Sequence, residues 1–451
     1  MRWLAVALIV SCTPVPPPAP KTFSVRDGFI RDPEGRAVIL RGVNVSGKHK
    51  GPPYFDFHEA PDYARLRDVW GFNAVRFLVS WSAIEPRRGE YDANYLSELK
   101  RRVSLATGAG LLVFIDMHQD LYGEGFVGAN GAPRWTCDES NYAAYRPVTP
   151  WFLNALSAQV IACVDGFWSS SNLKSHYAQA WRQVAIALKD DPGVIGVDPM
   201  NEPPWGSMPN DVFEKTRLAP LYRDVLAQVR AERPDWIGFL EPAASRNLGL
   251  PTALPRFSEP NVVYAPHAYD PDAERGLGFK PERRAAILEN AKALKSEADA
   301  LGAALVIGEF GGNANHSGIV EYMDAQYASH GAVAAGAMYW EDTREDDGYG
   351  LEQADGGLKP ALERGVVRPF PERVAGTPGA YAFDDATQTL TFSFEADATA
   401  RSPTVLSVPA SWRGLDVMCT GCAWTREGRA VVVTTSTGAS TVSLSLRRLP
   451  E

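Results

Sequence analysis

Two short stretches set an acid where an apolar run stops abruptly. In "GVIGVDPMNEPP" Glu202 follows Asn201 and precedes Pro203 and Pro204, and in "ALVIGEFGG" Glu309 follows Gly308. A carboxylate just past buried residues is partly desolvated, which makes its ionisation adjustable. Two such groups facing each other across a pocket suit acetal cleavage. One stays protonated to donate to the leaving oxygen, and the other is ionised to attack the anomeric carbon. The prolines after Glu202 bar tight coiling and keep the strand exit open. A lone glutamate in such a place is ordinarily a helix cap or a surface residue; several strand-end polar residues converging on one rim point to a site. Arg76 lies in "NAVRF"; Asp116, His118 and Asp120 end "GLLVFIDMHQD"; His267 and Tyr269 end "NVVYAPHAY"; Trp340 ends "AAGAMYW" and offers a flat platform for a ring.

These residues need strands to aim them. From Ala37 to about Trp340, eight apolar runs qualify: "AVILRGVN", "FNAVRFLV", "GLLVFIDMH", "GVIGVDPMN", "WIGFLEP", "NVVYAPHAY", "ALVIGEF" and "AAGAMYW". Helical patterns separate several of them, among them "YLSELKRRVSLATGAG" and "ERRAAILENAKALKSEADALG", both ending in Gly. Near-continuous apolar strands alternating with helices predict a parallel sheet covered on its outer face, and eight units predict a (β/α)8 barrel. A doubly wound open sheet needs no eighth unit, and no Gly-rich nucleotide fingerprint follows the first strand. In a barrel the strand ends above line one mouth.

The remainder of the chain frames this centre. The 451 residues exceed one small core, and 45% hydrophobic content with 12 Trp indicates a globular protein. The net charge of −9, without a basic stripe, makes nucleic acid an unexpected partner. Arg2 followed by "WLAVALIV" reads as an export signal, too short to span a bilayer, and "IVSC" makes Cys12 an acylation candidate of lipoprotein type; a plain secretory peptide is the alternative. "TPVPPPAPK" then reads as a proline-stiffened tether. Export permits disulfides, and of the three pairings of the other four cysteines the local ones, Cys137–Cys163 and Cys419–Cys422, are expected. Residues 119–175 form a long, aromatic-rich insertion, whose length points to a functional loop. From Ala380 the helical period vanishes; "TLTFSFEA" places Leu390, Phe392 and Phe394 on one face and "TVSLSL" does so with Val442, Leu444 and Leu446, predicting a small antiparallel β-sandwich. The expected divisions are 1–20 for signal and tether, 21–368 for the barrel and 369–451 for the sandwich. Trp412 and Trp424 there are either core residues or exposed binding aromatics.

The set Arg76, His118, Asn201, Glu202, His267, Tyr269, Glu309 and Trp340, with "NEP" and "GEF" after the fourth and seventh strands, resembles glycoside hydrolase clan A, family five. Within it, "DMHQDLYG", "GAPRW" and "RPFPERVAGTP" resemble the endoglycoceramidases. The resemblance implies a retaining enzyme that cleaves the β-linkage between an oligosaccharide and ceramide, without metal or cofactor. It implies Glu202 as general acid/base and Glu309 as nucleophile, with their carboxyls roughly 5–5.5 Å apart. Asn201 would hold the 2-hydroxyl, Tyr269 would bond Glu309, and Arg76 would keep Glu309 ionised. His118, Asp116, Asp120 and, in "NVSGKHKGPP", Lys48 would bind the glycone. Phe126, Val127, Trp151 and Phe152 are candidates for an apolar aglycone groove, and the acidic "EDTREDDGYG" after Trp340 is expected at the surface.

Three readings compete with this one. A cellulase or mannanase type of endo-β-glycanase, or another β-glucosidase, shares the centre but not a lipid substrate. A non-catalytic carbohydrate- or lipid-binding protein predicts loss of one carboxylate, and both are present. A structural surface lipoprotein needs no aligned set of strand-end polar residues. A monomer is expected.

Overall fold

The computed structural model describes residues 22–344 and 348–450. The export signal with Cys12 and the acids Glu345, Asp346 and Asp347 therefore lie outside the described residues. Eight parallel strands close into a barrel in chain order: Arg41–Val45, Ala74–Val79, Leu112–Met117, Val194–Asp198, Ile237–Leu240, Val262–Tyr264, Ala304–Phe310 and Gly336–Asp342. Each of the eight predicted runs supplies one of them. All their residues are buried except Trp340, as strands enclosed on both faces require. Helices Ala93–Gly108, Ser171–Leu188, Ala219–Glu232, Arg283–Leu301 and Ile319–Ala332 lie among the strands in sequence. Asp92 caps the first of these by accepting from the Asn94 and Tyr95 amides, and Gly302 ends the helix before the seventh strand at φ +74°.

The period of two along each strand builds the mouth. Ala74, Phe114, Phe239, Ala265 and Met338 belong to one buried cluster. Two residues further along, on the same side of each strand, stand Arg76, Asp116, Glu241, His267 and Trp340. Apolar side chains thus fill one layer and polar ones the next. On the seventh strand a register irregularity between Ile307 and Phe310 brings Glu309 into that polar layer.

The first predicted run divides. Ala37–Val38 belongs to another sheet, and only Arg41–Val45 joins the barrel. That other sheet has seven strands, in the order Ser24–Arg26, Phe29–Arg31, Ala37–Val38, Phe370–Val374, Thr404–Ser407, Ala430–Thr435 and Cys422–Glu427. A second sheet pairs Gly376–Asp384, Thr389–Ala396, Thr441–Arg448 and Leu415–Thr420 in that order. Leu390, Phe392, Phe394, Val442, Leu444 and Leu446 are buried between the sheets, as their alternation predicts, together with Trp412. Trp424 stays exposed. The sandwich is therefore completed by strands from the beginning of the chain. Phe23 and Val25 also pack against the apolar layer that plugs the barrel, and Asn261 Oδ1 accepts from the Val25 amide at 3.0 Å.

Both expected disulfides form. Cys137–Cys163 ties the start of the insertion to its helix Ala158–Ser169, and Cys419–Cys422 links adjacent strands of the two sheets. Most insertion aromatics pack inward. Phe126 lies within 4.9 Å of Tyr142 and 5.0 Å of Tyr145 between ring centres, so it belongs to the insertion's own core rather than to a groove. Phe167 and Trp168 are buried, and Trp168 Nε1 donates to Pro204 O at 2.8 Å, fastening the insertion to the strand exit after Glu202. Val127, Trp151 and Phe152 are exposed.

Candidate active site

Arg76 is the hub. It is wholly buried, and its guanidinium reaches Asp116 at 3.0 Å, Asp198 at 3.0 Å, Glu241 at 2.9 Å and Glu309 at 2.7 Å. It also donates to Asn44 Oδ1 at 3.0 Å and Asn201 Oδ1 at 2.9 Å. One guanidinium faces four acids, an excess of negative charge that raises the cost of ionising each of them. Asp198 shows that cost: burial pushes it well above the ordinary carboxylate range, and Glu241 adds to the push against the opposing pull of Arg76. Oxygens of Asp116, Asp198 and Glu241 come close enough together to hold a cation, but the guanidinium already stands among them.

His267 joins the two candidate catalytic acids. Its Nδ1 lies 2.9 Å from Glu202 Oε1 and 3.3 Å from Glu309 Oε2. One carboxylate oxygen of each glutamate lies within 4.8 Å of the other, compatible with the short carboxyl spacing of roughly 5–5.5 Å in retaining glycosidases. Tyr269 OH donates to Glu309 Oε2 at 2.9 Å, and Asn247 Nδ2 donates to Glu202 Oε1 at 2.6 Å. The Glu309 side chain is 6% exposed and that of Glu202 31%, so Glu202 is the acid with access to solvent and to a leaving group.

The imidazole sets the charges. Burial disfavours the His267 cation, but the carboxylates of Glu241 and Glu309 and the bond to Glu202 outweigh it and hold the ring well above its ordinary range. Burial raises Glu202, yet its bond to His267 and that cation's charge lower it on balance. For Glu309 burial prevails over His267 and Arg76, and the charge of Glu202 adds, so it is raised. Glu309 is thus held above and Glu202 below the ordinary carboxylate range, because one ring nitrogen serves both acids across about 3 Å.

The mouth is an open cavity of about 630 Å³. Among the predicted residues, His118, Asp120, Asn201, Glu202, Tyr269, Glu309 and Trp340 line it. Arg76, Asp116 and His267 stand behind this lining and act through it. His118 Nδ1 contacts Asp116 Oδ2 at 2.8 Å, and its ring stacks on Trp340 with centres 5.4 Å apart. Burial lowers His118, but Asp116 and Asp120 overcome this and raise it to about 9. Lys48 is not part of the pocket. It is exposed, and Lys50 takes the place, with Nζ 3.5 Å from Asp120 Oδ2 and 4.3 Å from the centre of the Trp340 ring. Glu341 and Asp342, expected at the surface, are buried; Asp342 Oδ2 faces His58 Nε2 at 3.1 Å. Trp151, Gly128, Ala129 and Asn130, with Asp120, form the insertion's share of the wall.

Glu241, Asn44, Asp198, Lys50 and Asn247 escape the sequence reading. Glu241 carried a usable signal: like Glu202 and Glu309, it closes an apolar run, in "WIGFLEP".

A parallel eight-stranded barrel with two acids paired across its C-terminal mouth defines a glycoside hydrolase. The chain belongs to glycosyl hydrolase family 5, the cellulase family: the family model matches residues 31–343, and that of the family 5 C-terminal domain matches residues 368–445. It is similar to endoglycoceramidase I of Rhodococcus hoagii (strain 103S), 29% identical over 87% of this chain and 81% of that protein. It is also similar to an endoglycoceramidase of Cyanea nozakii, 23% identical over 82% of this chain and 80% of that one. The solved structure of endo-glycoceramidase II from Rhodococcus sp. in complex with ganglioside GM3 superposes with a TM-score of 0.82 at 30% identity, covering 94% of this chain and 99% of that one.

Proposed function

We infer that this enzyme is a retaining endo-β-glycosidase that hydrolyses the bond between glycan and ceramide in glycosphingolipids. The supporting observation is the pairing of Glu202 and Glu309 in a mouth of two characters. Lys50, His118, Asp120 and Trp340 supply charge and a ring platform for sugar. Trp151, whose chain neighbour Phe152 is also exposed, supplies an apolar wall suited to an alkyl chain.

In this reading Glu309 attacks the anomeric carbon while Glu202 gives its proton to the departing ceramide oxygen, leaving a glycosyl ester on Glu309. Glu202, now a carboxylate, takes a proton from water as that water releases the glycan. The three arrangements with one proton on His267 Nδ1, Glu309 or Glu202 hold the same number of protons, so forming the acid Glu202 needs only a shift through His267 across short contacts. Asn201 stands in the lining for the 2-hydroxyl, and Tyr269 and Arg76 stabilise the ionised Glu309.

Export and acylation of Cys12 are part of the same proposal, as is a monomeric state. No helix among the described residues is long and apolar enough to cross a membrane. The division at 368/369 is likewise proposed, with the strands Ser24–Arg26, Phe29–Arg31 and Ala37–Val38 serving the sandwich.

The test is parallel assay of a glycosphingolipid and a soluble β-glucan. Release of ceramide is expected; turnover of the glucan alone would return the chain to an endo-β-glycanase role. Binding without turnover of any β-glycoside would favour the binding-protein reading.

A further inference from the structure

Glu241 closes the fifth strand, is 2% exposed, and has no part in the chemistry above. Its two oxygens are spent on the two groups that govern Glu202. Oε2 accepts the backbone N–H of Glu202 at 2.9 Å. That residue has φ +39°, a backbone conformation that strains a non-glycine residue and persists only where its surroundings hold it. Oε1 lies 2.9 Å from Arg76 Nη2 and 3.2 Å from His267 Nε2. The buried Nε2 makes no aligned hydrogen bond, and its ion-pair contact is with this carboxylate; a bare ring nitrogen facing a carboxylate is repulsive. The contact is favourable only with a proton on Nε2, which leaves Nδ1 to exchange a proton with Glu202 and Glu309.

We propose that Glu241 is a positioning residue for the reaction: it pins the acid/base Glu202 in its positive-φ backbone and fixes the tautomer of His267, so that the mobile proton is offered at Nδ1, 2.9 Å from Glu202. The proposal rests on the assignment of Glu202 as acid/base. The ionisable groups around Glu241 are Arg76 from the second strand, Asp116 from the third, Asp198 from the fourth and His267 from the end of the sixth, with Tyr177 and Tyr222 from the outer helices. Tyr222 OH donates to the backbone oxygen of Glu241 at 2.7 Å and holds the strand end in place.

The experiment compares Glu241→Gln with the native enzyme on two leaving groups. A glycosylceramide needs its departing oxygen protonated; a 2,4-dinitrophenyl glycoside does not. The amide still accepts the Glu202 N–H but offers no charge to His267. The expected result is a loss of about 10²-fold in kcat/KM on the ceramide substrate, less than about threefold on the dinitrophenyl substrate, and a displaced pH profile. In a Glu202→Ala background the same substitution should cost the ceramide reaction nothing further. Equal losses on both substrates, or none, overturn the proposal. Should Glu202→Ala itself show no leaving-group dependence, the acid/base assignment fails instead. Should Glu241→Gln not fold, 15N-labelled histidine in the native enzyme decides, with His267 identified among seven histidines through the His267→Gln spectrum. A protonated Nε2 supports the proposal; a bare Nε2 with Nδ1–H overturns it.

Discussion

Arg76 Nη1 lies 2.7 Å from Glu309 Oε1 with the arginine side chain wholly buried and the glutamate nearly so. This contact joins stability to chemistry, because the same guanidinium also contacts Asp116, Asp198 and Glu241.

Removing that cation leaves buried acids without a partner. Arg76→Met is expected to destabilise the fold by about 3–5 kcal/mol, the scale of a broken buried ion pair, read as the shift of the urea midpoint. Arg76→Lys keeps the charge but not the fork, so turnover should fall more than stability. An unchanged midpoint for Arg76→Met would contradict the charge accounting of the hub.

The two glutamates should separate by chemical rescue. Glu309→Gln is expected to abolish turnover on every substrate while leaving glycolipid binding intact. Glu202→Ala should lose about 10²–10⁴-fold on ceramide glycosides and regain rate on an activated aryl glycoside when azide is added, giving the β-glycosyl azide. An α-azide product would disprove retention.

His118 supplies a pH signature. Its folded value of about 9 lies above its ordinary 6.5, so its cation stabilises the fold fully below pH 6.5 and progressively less as pH rises through 9. The contribution is about 3 kcal/mol. Denaturant midpoints measured from pH 6 to 10 should fall along this window, and His118→Gln should flatten the decline. A decline identical in both proteins would remove His118 as its source.

Trp151 tests the apolar wall. Its side chain is half exposed, so Trp151→Ser should cost little stability. KM for a glycosylceramide should rise several-fold while a soluble aryl glycoside is unaffected. Equal kinetics on both substrates would leave the wall without an aglycone role.

The Cys137–Cys163 bridge spans 26 residues, and its loss as Cys137→Ser/Cys163→Ser should cost about 3 kcal/mol by loop-closure entropy. Calorimetry of the double variant checks this, and glycolipid KM should rise with it because the bridge anchors the segment that carries Trp151.

The strand-end rule made most of the mouth legible. Asn201, Glu202, His267, Glu309 and Trp340 each close an apolar run, Arg76 lies within one, and the barrel delivers all of them to one layer at or behind the mouth. The same rule applied to "WIGFLEP" would have named Glu241. Other features lie beyond a local pattern. Lys48 and Lys50 flank His49 in one short 3-10 turn, Gly47–Lys50, whose phase decides which lysine turns inward; sequence does not give that phase. Strands of two or three residues at the start of the chain show no alternation long enough to read, so their pairing with the sandwich came only from the fold. Glu341 and Asp342 look like surface acids because their partners, such as His58, are distant in number. The opposite shifts of the two glutamates escaped too, since they depend on one imidazole meeting two acids.

The strands that precede the barrel seal its floor, at the pole opposite the mouth. A support, dye or fusion partner joined ahead of Thr22 would therefore sit at the back of the molecule, and beads loaded that way should present every catalytic opening outward to a micelle or vesicle.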